Sequence, residues 1–211
     1  MKITLLLILL CIIGFFLPVF SGVEEAFDNY GFSGENLVSR PWVLLTSVFL
    51  HNGLAHLLSN MFILFFFGIA VEAELGKKML LVFFLGAFAG SFLSLFVYPF
   101  DTISVGASAG IFALVGTGIL VRPFDLSFYP LVVPVPLAFL GIFYAIYNAY
   151  GFVAELSGLE AASNISYIAH FGGLFVGLYF GFREAGKKEM RMALLMFLIM
   201  IIAPLLWILL F

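Results

Sequence analysis

The chain has 211 residues, of which 64% are hydrophobic and 10% charged, with a formal net charge of -3. An ordinary soluble domain carries about 25% charged residues, and the mean hydropathy here is +1.21. These values exclude a soluble enzyme and define a multi-pass membrane protein. The charges are confined to short loops, so the net charge carries no signal for nucleic acid, and none is expected as a partner. Cys11 is the only cysteine, which rules out an intramolecular disulfide and leaves the redox compartment unread.

Residues 3–20 follow Lys2 as an apolar run long enough to span a bilayer. They share a basic start and apolar centre with a secretory leader. The small-x-small cleavage pattern is poor, so a retained helix is expected. Residues 21–52 read as a long first loop with Glu24, Glu25, Asp28 and Glu35, turning amphipathic around Trp42, Phe49 and Leu50 as at a membrane interface. A second span is expected over 54–71, closed by Glu72, Glu74, Lys77 and Lys78. A third covers 79–97 and carries Gly86, Gly90 and Ser94 at four-residue spacing, a close-packing face. Pro99, Asp101 and Ser104 mark a turn. The fourth span starts near Ser108 and ends before Arg122; a helix this short belongs inside a bundle.

Pro130, Pro134 and Pro136 delay the fifth helix to about 137–150. A small, polar loop over 151–165 follows, with Gly151 expected as its hinge. The sixth span, 166–182, places Ala169, Gly173, Gly177 and Gly181 on one face. After the Arg183–Arg191 charge cluster comes a seventh span, 192–211, without polar side chains deep in it. The expected fold is all-α. A six-helix core fills 1–182, and 183–211 adds a charged linker and a lipid-facing C-terminal helix. An N-terminus inside puts Lys2, Lys77, Lys78, Arg122, Arg183, Lys187, Lys188 and Arg191 inside and only Arg40 outside, which obeys the positive-inside rule.

With that topology Ser108, His170, His56 and Asn60 fall at one depth, in the outer third of the bilayer, on three helices. Polar side chains inside a membrane default to a functional reading. Each has a bland alternative: Ser108 as helix packing, His170 bonded to a carbonyl, His56 and Asn60 as interhelical glue at i,i+4. His51 reads as structural. Together they suit acyl transfer. Ser108 sits in a collar of small residues, Gly106-Ala107-Ser108-Ala109-Gly110, that admits close approach. His170 is the candidate base, and the Ser108 backbone N–H with the His56 and Asn60 side chains are candidate oxyanion donors. Asp101 and Glu160 lie in loops, so a dyad rather than a triad is expected. The match to G-x-S-x-G is rejected because no strand precedes it and no βαβ rhythm surrounds it. A zinc site is not expected: His51 and His56 are five apart with no H-E-x-x-H. No cofactor is implied.

The chain resembles the rhomboid intramembrane serine protease family over about residues 40–182. His51-Asn52-Gly53-Leu54-Ala55-His56-Leu57-Leu58-Ser59-Asn60 is similar to the second-helix motif. Gly68, Glu72 and Gly76 fit G-x-x-x-E-x-x-x-G. Gly106-Ala107-Ser108 fits the nucleophile motif, and Ala169-His170-Phe171-Gly172-Gly173 fits A-H-x-x-G. The resemblance implies a Ser108 nucleophile, a His170 base and acid, oxyanion stabilisation by His56 and Asn60, and Phe112 stacked on the histidine. It implies single-span membrane proteins as substrates, cut near their outer end. It implies a multi-pass protein of the cell membrane, N-terminus cytoplasmic and active site toward the outer face. The fifth helix and the 151–165 loop would be gate and cap. A monomer is expected. The sequence departs at Ala109, where the family has Gly, and at Arg40-Pro41-Trp42, where the arginine precedes the tryptophan. Two other classes compete. A non-catalytic rhomboid-like binder of transmembrane clients would lack the serine or the histidine. A small transporter would want ionisable groups near the midplane.

Overall fold

A computed structural model describes residues 1–129, 133–157, 165–195 and 198. Pro130, residues 158–164 of the expected 151–165 cap loop, and residues 196–197 and 199–211 of the expected seventh span lie outside the described residues. Residues 187–195 are helical, so a helix begins within the charged segment.

α1 (Lys2–Ser21) is the first apolar run, and its leucines and isoleucines leave a helix as the only way to satisfy its backbone in lipid. The first loop is not irregular. It folds as α2 (Val23–Tyr30), α3 (Gly34–Ser39), α4 (Val43–Thr46) and a 3-10 turn over Ser47–Phe49. Ser33 caps α3 by accepting from the Asn36 amide at 3.0 Å. Arg40 and Trp42 stand in reversed order yet both pin this region. Arg40 Nη1 donates to the Asp28 carbonyl at 2.8 Å, and Trp42 Nε1 donates to the Asn29 carbonyl at 3.2 Å.

α5 (Leu54–Leu75) extends a turn beyond the expected end, and α6 (Lys78–Ser94) is a turn shorter. α7 (Ser108–Val121) matches its expected bounds. Every residue from Ala109 to Val121 is buried, so α7 is the axis of the bundle. A hairpin follows that periodicity did not foresee: β1 (Leu126–Tyr129) pairs antiparallel with β2 (Val133–Pro136). The fold is therefore helical but not purely so. A two-stranded ribbon tolerates Pro134 and Pro136 because each strand is an edge. α8 (Leu137–Leu156) starts where the prolines end but runs two turns past the expected stop. Gly151 lies inside it and is no hinge: a Cβ there would strike the Tyr167 ring. α9 (Tyr167–Glu184) completes the described bundle. α1, α5 and α8 are long and apolar enough to cross a membrane, and α6 and α7 are shorter apolar helices.

The small-residue faces meet as their spacing implied. A methyl at Gly173 or Gly177 of α9 would collide with the Ala109 or Ala113 carbonyl of α7. One at Gly86 of α6 would strike the Ala113 side chain. Bare backbone thus brings α6 and α9 against α7, the van der Waals packing that drives helix association in lipid. Thr117 crosses the α7–α9 contact, its hydroxyl lying 3.0 Å from the Gly177 carbonyl oxygen. Ala109 is tolerated because Gly90 opposite has no side chain: a Cβ on Gly90 would lie 2.6 Å from the Ala109 methyl.

One end of the bundle collects the charges. Arg122 Nε is 2.8 Å from Glu74, and Lys78 Nζ is 3.2 Å from Glu184. Glu72 is not a solvated acid. It accepts from the Ile3 amide at 3.1 Å, the Thr4 amide at 2.9 Å and the Thr4 hydroxyl at 2.7 Å, so α5 caps the start of α1. The candidate site lies at the opposite end.

Candidate active site

Each candidate side chain enters from the first turns of a helix that begins at the same end. His56 and Asn60 lie on α5, Ser108 opens α7, and His170 lies in the first turn of α9. They line one cavity of about 980 Å³. His170 Nε2 is 2.8 Å from Ser108 Oγ. The Phe112 ring, one turn below Ser108, stacks on the imidazole with centroids 4.4 Å apart and planes 12° from parallel. Two residues 62 apart in sequence are thus in direct contact, with the imidazole held between a hydroxyl and an aromatic face.

Gly106 makes the approach to Ser108. Its φ of 128° is one that L side chains rarely adopt, and its amide donates to the Ser47 carbonyl at 2.9 Å. A Cβ there would stand 2.8 Å from His56 Cε1 and 2.9 Å from Nε2. The missing side chain therefore lets the His56 ring lie flush against the loop that leads into Ser108. Gly110 plays a similar part on α7, where a Cβ would lie 2.8 Å from the Phe83 ring and from the Phe83 carbonyl oxygen.

The first amides of α7, beginning with Ser108, have no acceptor one turn earlier within the helix and form a local positive pole. His56 faces this pole across Gly106, and its Nδ1 accepts from the Asn52 amide at 3.4 Å. Asn60 is buried, its Nδ2 donating to the His56 carbonyl at 2.8 Å, which leaves the second amide hydrogen for another acceptor. His51 is packed rather than presented. Its ring meets His56 edge-on at 5.1 Å, and its Nδ1 lies 3.3 Å from the Phe49 carbonyl oxygen. Burial, aided by the neighbouring His56, pulls its pKa down to about 4, so it stays neutral.

Asn148 of α8 is 2% exposed, and its Oδ1 is 2.7 Å from His170 Nδ1. The available signal was a lone amide on an apolar helix, which in a membrane reads as functional. At the rim of the cavity the Tyr98 hydroxyl donates to Glu155 Oε2 at 3.1 Å, tying the end of α8 to the segment after α6. Burial and that carboxylate push the Tyr98 phenol up to about 12, so it remains a donor.

The fold and site together define a helical membrane protein with a serine–histidine pair set in a cavity at one end. The chain belongs to the rhomboid family: the family model of the Rhomboid domain matches residues 38–187. It is similar to RHOMBOID-like protein 6, mitochondrial, of Arabidopsis thaliana, 34% identical over 159 residues, covering 72% of this chain and 48% of that one. It is similar to RHOMBOID-like protein 4 of Arabidopsis thaliana, 35% identical over 143 residues, 67% of this chain and 33% of that one. It is also similar to the Rhomboid protease GluP of Bacillus subtilis, 30% identical over 199 residues, 90% of this chain and 37% of that one. The chain therefore spans half or less of the length of these relatives.

Proposed function

We propose that this chain is an intramembrane serine endopeptidase that cleaves membrane-anchored proteins near the outer end of their transmembrane segment. The observation that carries this reading is the 2.8 Å approach of Ser108 Oγ to His170 Nε2 inside the cavity. A protein that only held transmembrane clients would have no use for a hydroxyl aligned on an imidazole and backed by a stacked ring.

The geometry supports the following reaction. His170 Nε2 takes the Ser108 proton as Oγ attacks the scissile carbonyl, forming the C–O bond. The carbonyl oxygen becomes an anion, which the Ser108 amide, His56 and Asn60 stabilise with hydrogen bonds. The intermediate collapses, the C–N bond breaks, and His170 returns the proton to the leaving amine. Water, deprotonated by the same imidazole, then releases the acyl group. No metal or cofactor enters.

Single-span membrane proteins are the proposed substrates. A transmembrane helix locks its carbonyls in internal hydrogen bonds, so it must unwind to be cut, and a wet cavity near one membrane surface is where unwinding costs least. The basic residues at the opposite end of the bundle support a cytoplasmic N-terminus and a site toward the outer face of the cell membrane. The same reading takes six spans as the core, a seventh as a lipid-facing addition, and a monomer as the working unit. The test is cleavage of a labelled single-span substrate by purified protein. Wild type should cut, and Ser108→Ala and His170→Ala should not; cleavage by either variant at the wild-type rate would remove the dyad.

A further inference from the structure

Asn148 makes two hydrogen bonds that together determine how His170 is protonated. Its Nδ2 donates to the Tyr167 carbonyl at 3.1 Å. A carbonyl oxygen only accepts, so the amide nitrogen must face Tyr167 and Oδ1 must face His170. That oxygen also only accepts, so the hydrogen in the 2.7 Å contact belongs to His170 Nδ1. A neutral imidazole carries one hydrogen. Nε2 is therefore the lone pair, and it points at Ser108 Oγ, 2.8 Å away. Phe112 fixes the plane of the ring, and Asn148 fixes its rotation and tautomer.

We propose that Asn148 is the positioning residue of the reaction, holding His170 in the one tautomer that can take the Ser108 proton. The proposal rests on the reading of Ser108 and His170 as the catalytic pair. It has a consequence for admission of substrate. Asn148 belongs to α8, which packs on α7 and α9 and shares no comparable interface with α5. If a substrate parts α8 from α5, it moves the helix that orients the base. The dyad is then ready only when α8 is seated at the level of Asn148, and an open gate is an idle enzyme.

A purely structural role for Asn148, tying α8 to the Tyr167 carbonyl, makes different predictions. Asn148→Leu keeps the shape and removes both bonds. Asn148→Asp keeps the acceptor toward His170 and loses the donor toward Tyr167. The experiment measures kcat and KM of these variants on a short soluble peptide and on a single-span substrate, beside wild type and Ser108→Ala. It adds the ¹⁵N-histidine spectrum of wild type and Asn148→Leu, with the His170 signals assigned by His51→Gln and His56→Gln variants. Asn148→Leu should lower kcat about 10–100-fold on both substrates with KM within about two-fold, the scale of a misplaced catalytic group. Asn148→Asp should recover most of the loss. His170 should carry its hydrogen on Nδ1 in wild type and lose that preference in Asn148→Leu. The proposal is overturned if Asn148→Leu keeps wild-type kcat, if Asn148→Asp is as poor as Asn148→Leu, or if wild-type His170 is protonated on Nε2. Failure of the underlying protease reading looks different: wild type would then be as inactive as Ser108→Ala.

Discussion

Gly106→Ala is the substitution whose effect can be worked out most fully. Two costs add. A non-glycine residue at φ 128° stores about 1–3 kcal/mol of backbone strain. The new methyl would also lie 2.8 Å from His56 Cε1, where carbon atoms prefer about 3.5–4.0 Å. The ring must therefore retreat by about 0.7 Å or more, away from the place where the oxyanion forms. Misplacing a catalytic group by about 1 Å costs about 10²-fold, and losing one oxyanion donor about 10²–10³ in kcat. Gly76 supplies the control. It also has positive φ, at 55°, but a Cβ there meets nothing within 4 Å, and it lies at the far end of the bundle. Gly76→Ala should lose stability from strain and keep its kcat. Gly106→Ala should lose stability and about 10²-fold in kcat with KM little changed. The assay is steady-state cleavage of a labelled single-span substrate, paired with thermal unfolding in detergent. If Gly106→Ala turns over like Gly76→Ala, the position of the His56 ring does not matter to the chemistry and the cradle has been assigned wrongly.

Three further outcomes are expected. Asn60→Ala and His56→Ala should each lower kcat far more than they raise KM, because the oxyanion exists only along the reaction path; an effect on KM alone would move them to substrate binding or packing. Tyr147→Ala, which trims a half-exposed side chain of α8 at the cavity edge, should speed cleavage of a membrane substrate and barely alter that of a soluble peptide, and a reducible disulfide locking α8 to α5 should do the reverse. No response of membrane-substrate cleavage to the lock would reject admission between these helices in favour of a path over the top. Glu72→Ala should destabilise the bundle by about 1.5–3 kcal/mol through loss of charge-assisted bonds to α1 while leaving kcat of the folded fraction unchanged; a selective drop in kcat would link that far end to the site.

Much of the arrangement was legible because the signals were strong and local. The apolar runs place α1, α5, α6, α7, α8 and α9 within a turn or two, and the four-residue rows at Gly86–Gly90 and Gly173–Gly177 mark the faces that meet α7. Ser108, His170, His56 and Asn60 could be brought together by depth alone, since each lies near a helix start at the same end. What stayed hidden depended on tertiary contact. Gly151 looks like a hinge by residue type, and only the Tyr167 ring packed on it explains why the helix continues. The short helices α2, α3 and α4 are too brief for periodicity to reveal, and they hold because Arg40, Trp42 and Ser33 tie their ends. From the sequence Asn148 is legible only as a lone amide on an apolar helix. That it meets His170 depends on the rotation of α8 about its own axis, which its nearly uniform apolar sequence does not encode.

The central claim is that Ser108 is a nucleophile made reactive by His170. The most direct measurement is reaction of the purified protein with a serine-directed fluorophosphonate, followed by mass spectrometry of the adduct. One adduct per chain is expected, located on Ser108, absent from Ser108→Ala and strongly slowed in His170→Ala. An adduct elsewhere, or labelling of Ser108→Ala equal to wild type, would contradict it.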